Sequence, residues 1–537
     1  MEDNNTTYTA INIGPIVSTI QMARKPRELW AASYLFSHLM ECIIETLPKN
    51  GIDKDDIISP AILNSGSKNL GVGLYPDRVF FRNNLEKPFD EQVFFKEVFK
   101  KIEKTKFTVK INNKDTIKKL KQDFFNIMIT SLDISSKNEE SEAIRKLNQA
   151  LDKAELFNIA CKDEDTKNVR KLISLRKNSP LFKKAFGKTE FPIETLGEIA
   201  AKQLSILESN KWESFVNDIK SDDKETAEKA YSFSRDNLKS YHKYICVVQA
   251  DGDNVGKTVT HKDLPNGKVK EISKALLEFG KKATEEIKEY GGLPIYAGGD
   301  DLLFIAPVVG KKEKGDSFEN IFDLLEKLNK NSFSGVADKV KECGLTKDGK
   351  LIEASLSFGV SITYYKYPLY EALESARDLL FGVAKNIEGK NAIALDMRKH
   401  SGGAFSISFS KTNTNLATKF DNMIKKSQVE DALTSAVANK ISNSEGLLKL
   451  WIGSNENIFT ERNKAFFEKY IEYDSSKTDI NSSYKQSALD LLNELYKTKI
   501  NPKMSEQEKK KNTSEIIKTM YGMLRVAKFI NGEEDKQ

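Results

Sequence analysis

The stretch Ile295 to Pro307, reading I-Y-A-G-G-D-D-L-L-F-I-A-P, constrains the fold more than any other part of the chain. Two apolar runs, Leu293 to Ala297 and Leu302 to Ala306, flank Gly298, Gly299, Asp300 and Asp301. A glycine-rich turn between β-type runs predicts a hairpin with two carboxylates at its tip. Taken alone, the four residues are also what an ordinary polar turn uses. Adjacent acids on a tight turn repel unless a cation lies between them, and hard oxygen ligands suit Mg²⁺ or Mn²⁺.

The upstream chain adds a third acid. Tyr244 to Ala250 is an apolar run that ends in Asp251-Gly252-Asp253-Asn254-Val255-Gly256-Lys257, a strand delivering acids at its carboxyl end. The expected order is strand Lys243 to Asp251, helix Lys270 to Tyr290, the 295 to 306 hairpin and a helix around Phe318 to Glu342. Strand Glu353 to Tyr365, helix Pro368 to Ile387 and strand Asn391 to Arg398 follow. This is an α+β, ferredoxin-like palm with extensions. In such a palm the first strand lies beside the hairpin, so Asp251 faces Asp300 and Asp301 across one or two metals. That arrangement serves phosphoryl or nucleotidyl transfer.

The amino-terminal part repeats the start of this pattern without paired acids. Tyr8 to Ile16 reads as a strand, Val17 to Thr46 as a helical stretch broken near Pro26, Ile57 to Leu63 and Gly71 to Phe81 as strands, and Asp90 to Lys104 as a helix. The expectation is a second, catalytically silent palm. Arg24, Lys25 and Arg27 at the helix break form a solvated charged face or hold a triphosphate. Asp115 to about Asp236 reads as helical and Lys-rich, interrupted at Pro180 and Pro192. Gly310 to Gly315 reads as a surface loop, Ser401-Gly402-Gly403 as a junction, Leu416 to Phe529 as helices with a breaker at Pro502, and Lys509 to Lys511 as a solvated loop. The expected division is 1–114 first palm, 115–236 helical insertion, 237–402 catalytic palm with G-G-D-D, and 403–537 helical bundle, whose work is docking.

With 84 basic and 78 acidic side chains, the net charge of +6 favours local patches over a uniformly basic surface. Cys42, Cys161, Cys246 and Cys343 form no C-x-x-C pair, which argues against a zinc ribbon or disulfide framework and fits a reducing, cytoplasmic setting. No apolar run approaches about 18 residues, so neither signal peptide nor membrane span is expected.

Several separated pieces then resemble one family: I-G-P-I-V-S-T-I-Q-M-A-R-K-P-R-E-L-W-A-A-S-Y-L at Ile13 to Leu35, F-P-I-E-T-L-G-E-I-A at Phe191 to Ala200, and A-D-G-D-N-V-G at Ala250 to Gly256. Y-A-G-G-D-D-L-L at Tyr296 to Leu303, S-F-G-V-S-I-T-Y-Y-K-Y-P-L-Y-E-A-L at Ser357 to Leu373, Gly389-Lys390-Asn391-Ala392, and L-R-V-A-K-F at Leu524 to Phe529 complete the set. In this order they resemble the large, polymerase-like subunit of type III-B CRISPR RNA-guided effector complexes, the Cmr type. The resemblance implies a target-RNA-activated enzyme that converts ATP into a signalling nucleotide, either cyclic oligoadenylate or AMP joined to S-adenosylmethionine. It implies Asp251, Asp300 and Asp301 as ligands of Mg²⁺ or Mn²⁺, Gly298 and Gly299 as backbone that lets triphosphate approach, and Lys385 as a phosphate contact, with Asp253 a weaker candidate. The implied partners are the other protein subunits, guide CRISPR RNA and target RNA.

Three departures stand out. The chain starts directly with a palm, and His38, His242, His261 and His400 form no His-Asp motif, so single-stranded DNA cleavage is not expected. No cysteine cluster precedes Phe191 to hold the zinc found in relatives. The resemblance also implies Ser33 as a nucleotide contact, and Ala32 replaces the family's usual glycine before it, which alters the second nucleotide pocket. Two other classes of function compete: a stand-alone GGDEF-type nucleotide cyclase, active without RNA, and a scaffold that keeps its palm only to hold neighbours.

Overall fold

The structure is a computed structural model that describes residues 6–62, 70–83, 91–104, 125–134, 139–156, 184–187, 193–204, 238–314, 317–400, 402–427, 431–452, 456–470, 478–501 and 503–532. The first unit runs β1 (Thr6–Gly14), α1 (Ile16–Gln21), α2 (Pro26–Thr46), β2 (Ile57–Ser59), β3 (Arg78–Arg82), α3 (Glu91–Lys104), β4 (Asn126–Ile134) and α4 (Glu139–Glu155). Its sheet has the order β2-β3-β1-β4 with every pair antiparallel, the strand order of a βαββαβ unit. Helix α2 opens with Pro26 at its first position, where the missing N–H costs nothing.

Strand β4 corrects the reading of Asp115 onward as helical. It pairs with β1 along its whole length, from Thr6 opposite Ile134 to Gly14 opposite Asn126. Ile127, Ile129 and the intervening polar and apolar residues carry a period-two pattern, and β1 would otherwise expose an unpaired edge. Helix α4 buries Ala143, Ile144, Leu147 and Leu151 and packs on β4 and β1, so the first unit extends past residue 114. The remainder of the expected insertion, with Pro180 and Pro192, lies mainly outside the described residues. The stretch Gly71 to Phe81 is a strand only from Arg78, because Gly71 takes a left-handed φ of 68° and Pro76 lacks an N–H.

The second unit begins after α5 (Leu196–Ala200). It comprises β5 (Tyr244–Asp253), α6 (Val255–Val259), α7 (Lys268–Tyr290), β6 (Leu293–Gly298), β7 (Asp301–Pro307), β8 (Val309–Lys314), β9 (Ser317–Asn320), α8 (Ile321–Lys327) and α9 (Ser334–Glu342). A small hairpin of β10 (Thr346–Lys347) and β11 (Lys350–Leu351) precedes β12 (Ser355–Tyr364), α10 (Leu369–Asp378), β13 (Ala392–Arg398) and β14 (Ala404–Ser410). The sheet order is β14-β13-β12-β5-β7-β6. Four of its strands, β12-β5-β7-β6, repeat the order β4-β1-β3-β2 of the first unit. Helix α7 ends at Gly291, whose φ of 102° closes the last turn as only glycine does at no cost.

One expected loop is strand, and one expected junction is a turn within the sheet. Gly310 to Gly315 belongs mostly to the β8–β9 hairpin, with Gly315 outside the described residues. The expected junction at 401–403 is the tight turn between β13 and β14, where Lys399 N donates to Gly403 O at 2.8 Å. Strand β14 therefore extends the second sheet beyond residue 402, and its alternation A-F-S-I-S-F-S carried that signal.

Helices α11 (Thr414–Ser427), α12 (Asp431–Asn443), α13 (Glu445–Ile452), α14 (Glu456–Tyr470), α15 (Thr478–Lys499) and α16 (Glu506–Ile530) complete the chain. Lys509 to Lys511 sits inside α16, started by a Ser505–Glu508 capping box, and is not a loop. Helix α16 lies directly on β14: a Cβ on Gly522 would stand 2.7 Å from Ile407 Cγ2. Among the described residues Cys42, Cys246 and Cys343 are free thiols. No helix among those described is long and apolar enough to cross a membrane.

The units are cross-packed. Helix α2 of the first lies on β6 of the second, and α7 of the second lies on β2 of the first. Leu29, Trp30 and Ile43 share one core with Ile245, Ile295 and Ile305.

Candidate active site

Strand β5 delivers its acids in alternate positions, so Asp251 and Asp253 share a face, opposite Ser357 and Ser355 of β12. Asp253 is fully buried and saturated. It accepts from Ser355 Oγ at 2.7 Å, Ser357 Oγ at 2.8 Å, Asn391 N at 2.9 Å and Lys385 Nζ at 2.8 Å. Burial alone would raise its pKa, but the Lys385 charge and the hydroxyl bonds outweigh it and hold the carboxyl below its usual value. Asp253 is thus a structural anchor.

Lys385 arrives on an irregular extension of α10, a π turn over Leu379–Val383 and a 3₁₀ turn over Ala384–Asn386. The helix reaches there because Gly359 of β12 has no side chain: a Cβ would stand 2.1 Å from Ala376 O. Its Nζ donates to Asp251 O and Gly252 O, both at 2.9 Å, and forms an ion pair with the Asp251 carboxylate. The structure therefore brings Lys385 to the site, seated on the acids of β5.

The hairpin supplies the other two acids. Gly298 pairs with Asp301, leaving Gly299 and Asp300 as the turn. Gly299 has φ 64° and open space where a Cβ would be. Strand β5 pairs antiparallel with β7, ending at Ala250 opposite Leu302, so Asp251 and Asp301 follow on neighbouring strands. Asp300 packs against β5 because Gly252 leaves room: a Cβ there would stand 2.6 Å from Asp300 Oδ2.

The electrostatics follow from this crowding. Burial, then the Asp251 charge, pushes the Asp300 carboxyl up to about 7. Asp301 is raised further by burial, by Asp300 and Asp251, and by a hydrogen bond with Asp251. Because the Asp301 residue itself reaches solvent, repulsion counts for more there than burial. Carboxyls crowded in this way repel one another, so this corner of the molecule attracts positive charge.

Sequence reasoning missed several neighbours. Tyr296 stands beneath the turn, its hydroxyl where a Gly298 Cβ would collide at 2.5 Å, and Asp77 of the first unit adds negative charge near Tyr296 and Asp301. Lys257 and Lys390 lie around Lys385 and the β5 acids. The signal for Lys390 was Gly389-Lys390-Asn391, all three with positive φ, which folds over Asp253. Ser33 is placed elsewhere: it lies buried on α2, its Oγ without a hydrogen-bond partner among the described residues and its carbonyl 3.8 Å from the Cβ position of Gly73.

As the side chains stand, no group of three or more His, Cys, Asp or Glu among the described residues forms a ready metal cluster. Asp251 is turned to Lys385. The donor set itself fits a hard divalent cation: three neighbouring carboxyls, two of them raised by burial and by one another's charge.

Comparison with known proteins places this architecture. The model for "CRISPR-associated protein Cmr2, N-terminal" matches residues 8–151, and that for "Cas10/Cmr2, second palm domain" matches residues 244–394, together more than half of the chain. The chain belongs to the Cas10/Cmr2 family. Within it, the chain is similar to CRISPR system Cmr subunit Cmr2 of Pyrococcus furiosus, 30% identical over 237 residues that make up 37% of this chain and 24% of that protein. Among solved structures, it resembles a chain of the type III-B Cmr-beta complex in the apo state, with TM-score 0.56 and 12% identity over 89% of this chain and 79% of that one. A chain of the Cmr-beta complex bound to cognate target RNA matches with TM-score 0.53 and 11% identity over 90% and 80%. The boundary of the first model at residue 151 agrees with the inclusion of β4 and α4 in the first unit.

Proposed function

We propose that this chain is the large subunit of a type III-B RNA-guided complex in the cytoplasm, and that target RNA bound in the complex activates it as an ATP-using nucleotidyltransferase. Both βαββαβ units are then palms, and the second, with its Gly-Gly-Asp-Asp hairpin, is catalytic. The observation that carries this is the approach of Asp301 to within hydrogen-bonding reach of Asp251, with Asp300 packed on Gly252 beside them. Membership of the Cas10/Cmr2 family, and the likeness to a chain solved with cognate target RNA, support the partners proposed.

Asp251, Asp300 and Asp301 hold Mg²⁺ or Mn²⁺, which when bound lowers the pKa of the attacking hydroxyl and offsets the charge of the departing pyrophosphate. Gly299, with no side chain and open space around it, leaves backbone for a triphosphate to approach. Lys385 keeps Asp251 oriented, and Lys257 and Lys390 add positive charge around it. The 3′-oxygen of an acceptor nucleotide forms a bond to the α-phosphorus of ATP as the bond to the leaving pyrophosphate breaks. No protein nucleophile takes part. The product is cyclic oligoadenylate, or AMP joined to S-adenosylmethionine.

The test uses the assembled complex with ATP, Mg²⁺ and matching RNA, with and without S-adenosylmethionine, and mass spectrometry of the products. Pyrophosphate release that depends on target RNA and disappears in Asp300→Ala with Asp301→Ala is the expected result. No product under either condition would overturn the reading, and activity of the isolated chain without RNA would favour a stand-alone cyclase.

A further inference from the structure

Three glycines crowd one layer of the molecule, and all lie where the first unit meets β6. Residues Gly71–Tyr75 leave the first sheet and run beside β6, where Gly73 forms a parallel bridge with Tyr296 and Ala297 N donates to Gly73 O at 3.0 Å. This strap is pinned along its length. Trp30 Nε1 donates to Gly71 O at 2.9 Å, Gly71 N donates to Ala185 O at 2.9 Å, and Tyr75 N donates to Ser37 Oγ at 2.9 Å. A Cβ on Gly73 would stand 2.7 Å from Ser37 Cβ on α2. One on Gly280 of α7 would stand 2.6 Å from Ala297 O and 3.2 Å from Leu74 Cδ2, and one on Gly298 would stand 2.5 Å from Tyr296 Oη.

Helix α2, the strap, β6 and helix α7 are therefore stacked at distances that admit no side-chain carbon, and the stack ends at Gly298, next to the turn that carries Asp300. Without the strap, β6 would be a bare sheet edge next to that turn. We propose that the strap is a positioning element for the acid-bearing turn, with Gly73 and Gly280 fixing how closely β6 lies between α2 and α7 and thereby whether Asp300 and Asp301 reach Asp251. Its catalytic consequence rests on the nucleotidyl-transfer reading; its structural consequence does not.

Two readouts on the full-length chain separate these. Gly73→Ala pushes on Ser37 and lifts β6, so amides of residues 296–301 exchange with solvent about ten-fold faster while those of β13 and β14 keep their wild-type rates. In the assembled complex, kcat for pyrophosphate release falls about ten-fold or more with KM nearly unchanged, as an ångström-scale misplacement of acids produces. Gly335→Ala, at a helical position with open space, alters neither. Should Gly73→Ala fail to fold, Leu74→Ala probes the same layer more gently and must still quicken exchange at 296–301. Wild-type exchange in that peptide for both variants overturns the proposal. Faster exchange in a complex whose wild type releases no pyrophosphate sinks the enzymatic reading and leaves the strap standing.

Discussion

Replacing Asp253 with alanine separates anchor from chemistry at one end of β5. The carboxylate is fully buried and takes four donors, two serine hydroxyls, the Asn391 amide and the Lys385 ammonium. Each hydrogen bond to a charged group contributes about 1.5–3 kcal/mol net, and removing one member of a buried ion pair typically costs about 3–5 kcal/mol. Lys385 keeps Asp251 and two carbonyls, so we expect a loss of about 3–5 kcal/mol for Asp253→Ala, near the lower end of that range. Asp251→Ala, Asp300→Ala and Asp301→Ala should differ in kind. Asp300→Ala and Asp301→Ala each remove a carboxyl that its neighbours repel, so stability should hold or rise slightly, and Asp251→Ala sets the same relief against the loss of its ion pair with Lys385, while catalysis is lost in all three, the usual signature of groups kept for function against stability. Urea unfolding of the four full-length variants, followed by far-UV circular dichroism, makes the comparison. A stability for Asp253→Ala within about 1 kcal/mol of wild type, or a larger loss for Asp300→Ala, would refute the assignment of roles.

Further outcomes follow from other buried groups. His242 accepts from Lys239 N at Nδ1, 3.0 Å, which leaves Nε2–H to donate to Gln203 Oε1 at 2.9 Å, so the neutral ring is satisfied on both sides and burial drives its pKa down to about 3. The unfolded chain then takes up a proton that the fold refuses, and stability should fall by up to roughly 5 kcal/mol as pH drops from about 6.5 toward about 3. His242→Gln should flatten the pH dependence of the unfolding midpoint in that window. Lys411 is half-buried, with Nζ donating to Leu356 O at 2.9 Å over the Phe358 ring, and desolvation lowers its pKa to about 7. Its folded value lies below its unfolded one, so stability should rise with pH between about 7 and 10.5, and Lys411→Met should raise Tm at pH 7 and flatten that rise. The Asp300→Ala and Asp301→Ala pair should abolish pyrophosphate release, a loss of several kcal/mol of transition-state stabilisation, without preventing complex assembly.

The second unit was the more legible part of the chain because its elements are long and strongly periodic. Helix α7 and strands β5, β7 and β12 lie within a few residues of their expected bounds. The acids were legible because Asp251 closes an apolar run and Asp300 and Asp301 sit in the glycine-rich turn between two others. What escaped reading depended on pairing across sequence distance. Strand β4 is a short alternating run among lysines, and only the open edge of β1, more than a hundred residues upstream, makes it a strand. Strand β14 follows a glycine pair that looks like a linker and is a tight turn. Asp253 and Lys385 could not be assigned from spacing, since their mutual contact needs Gly359 to let a helix settle on the sheet.

The two units share a strand order but differ at one connection, and that difference explains where the site sits. In the second unit the strands equivalent to β2 and β3 are joined by the two-residue turn at Gly299 and Asp300. In the first unit the same connection is long, and Gly71–Tyr75 within its described residues crosses to pair with β6. The first unit thus gives up the place where a turn of acids would stand and uses that length of chain to cover the outer edge of the strand that carries the other unit's acids. Cross-packing of α2 on β6 and α7 on β2 makes this covering rigid. Neither unit alone would hold the turn in place, because β6 would then present unpaired N–H and C=O groups beside the charged tip, a poor platform for carboxylates that repel one another.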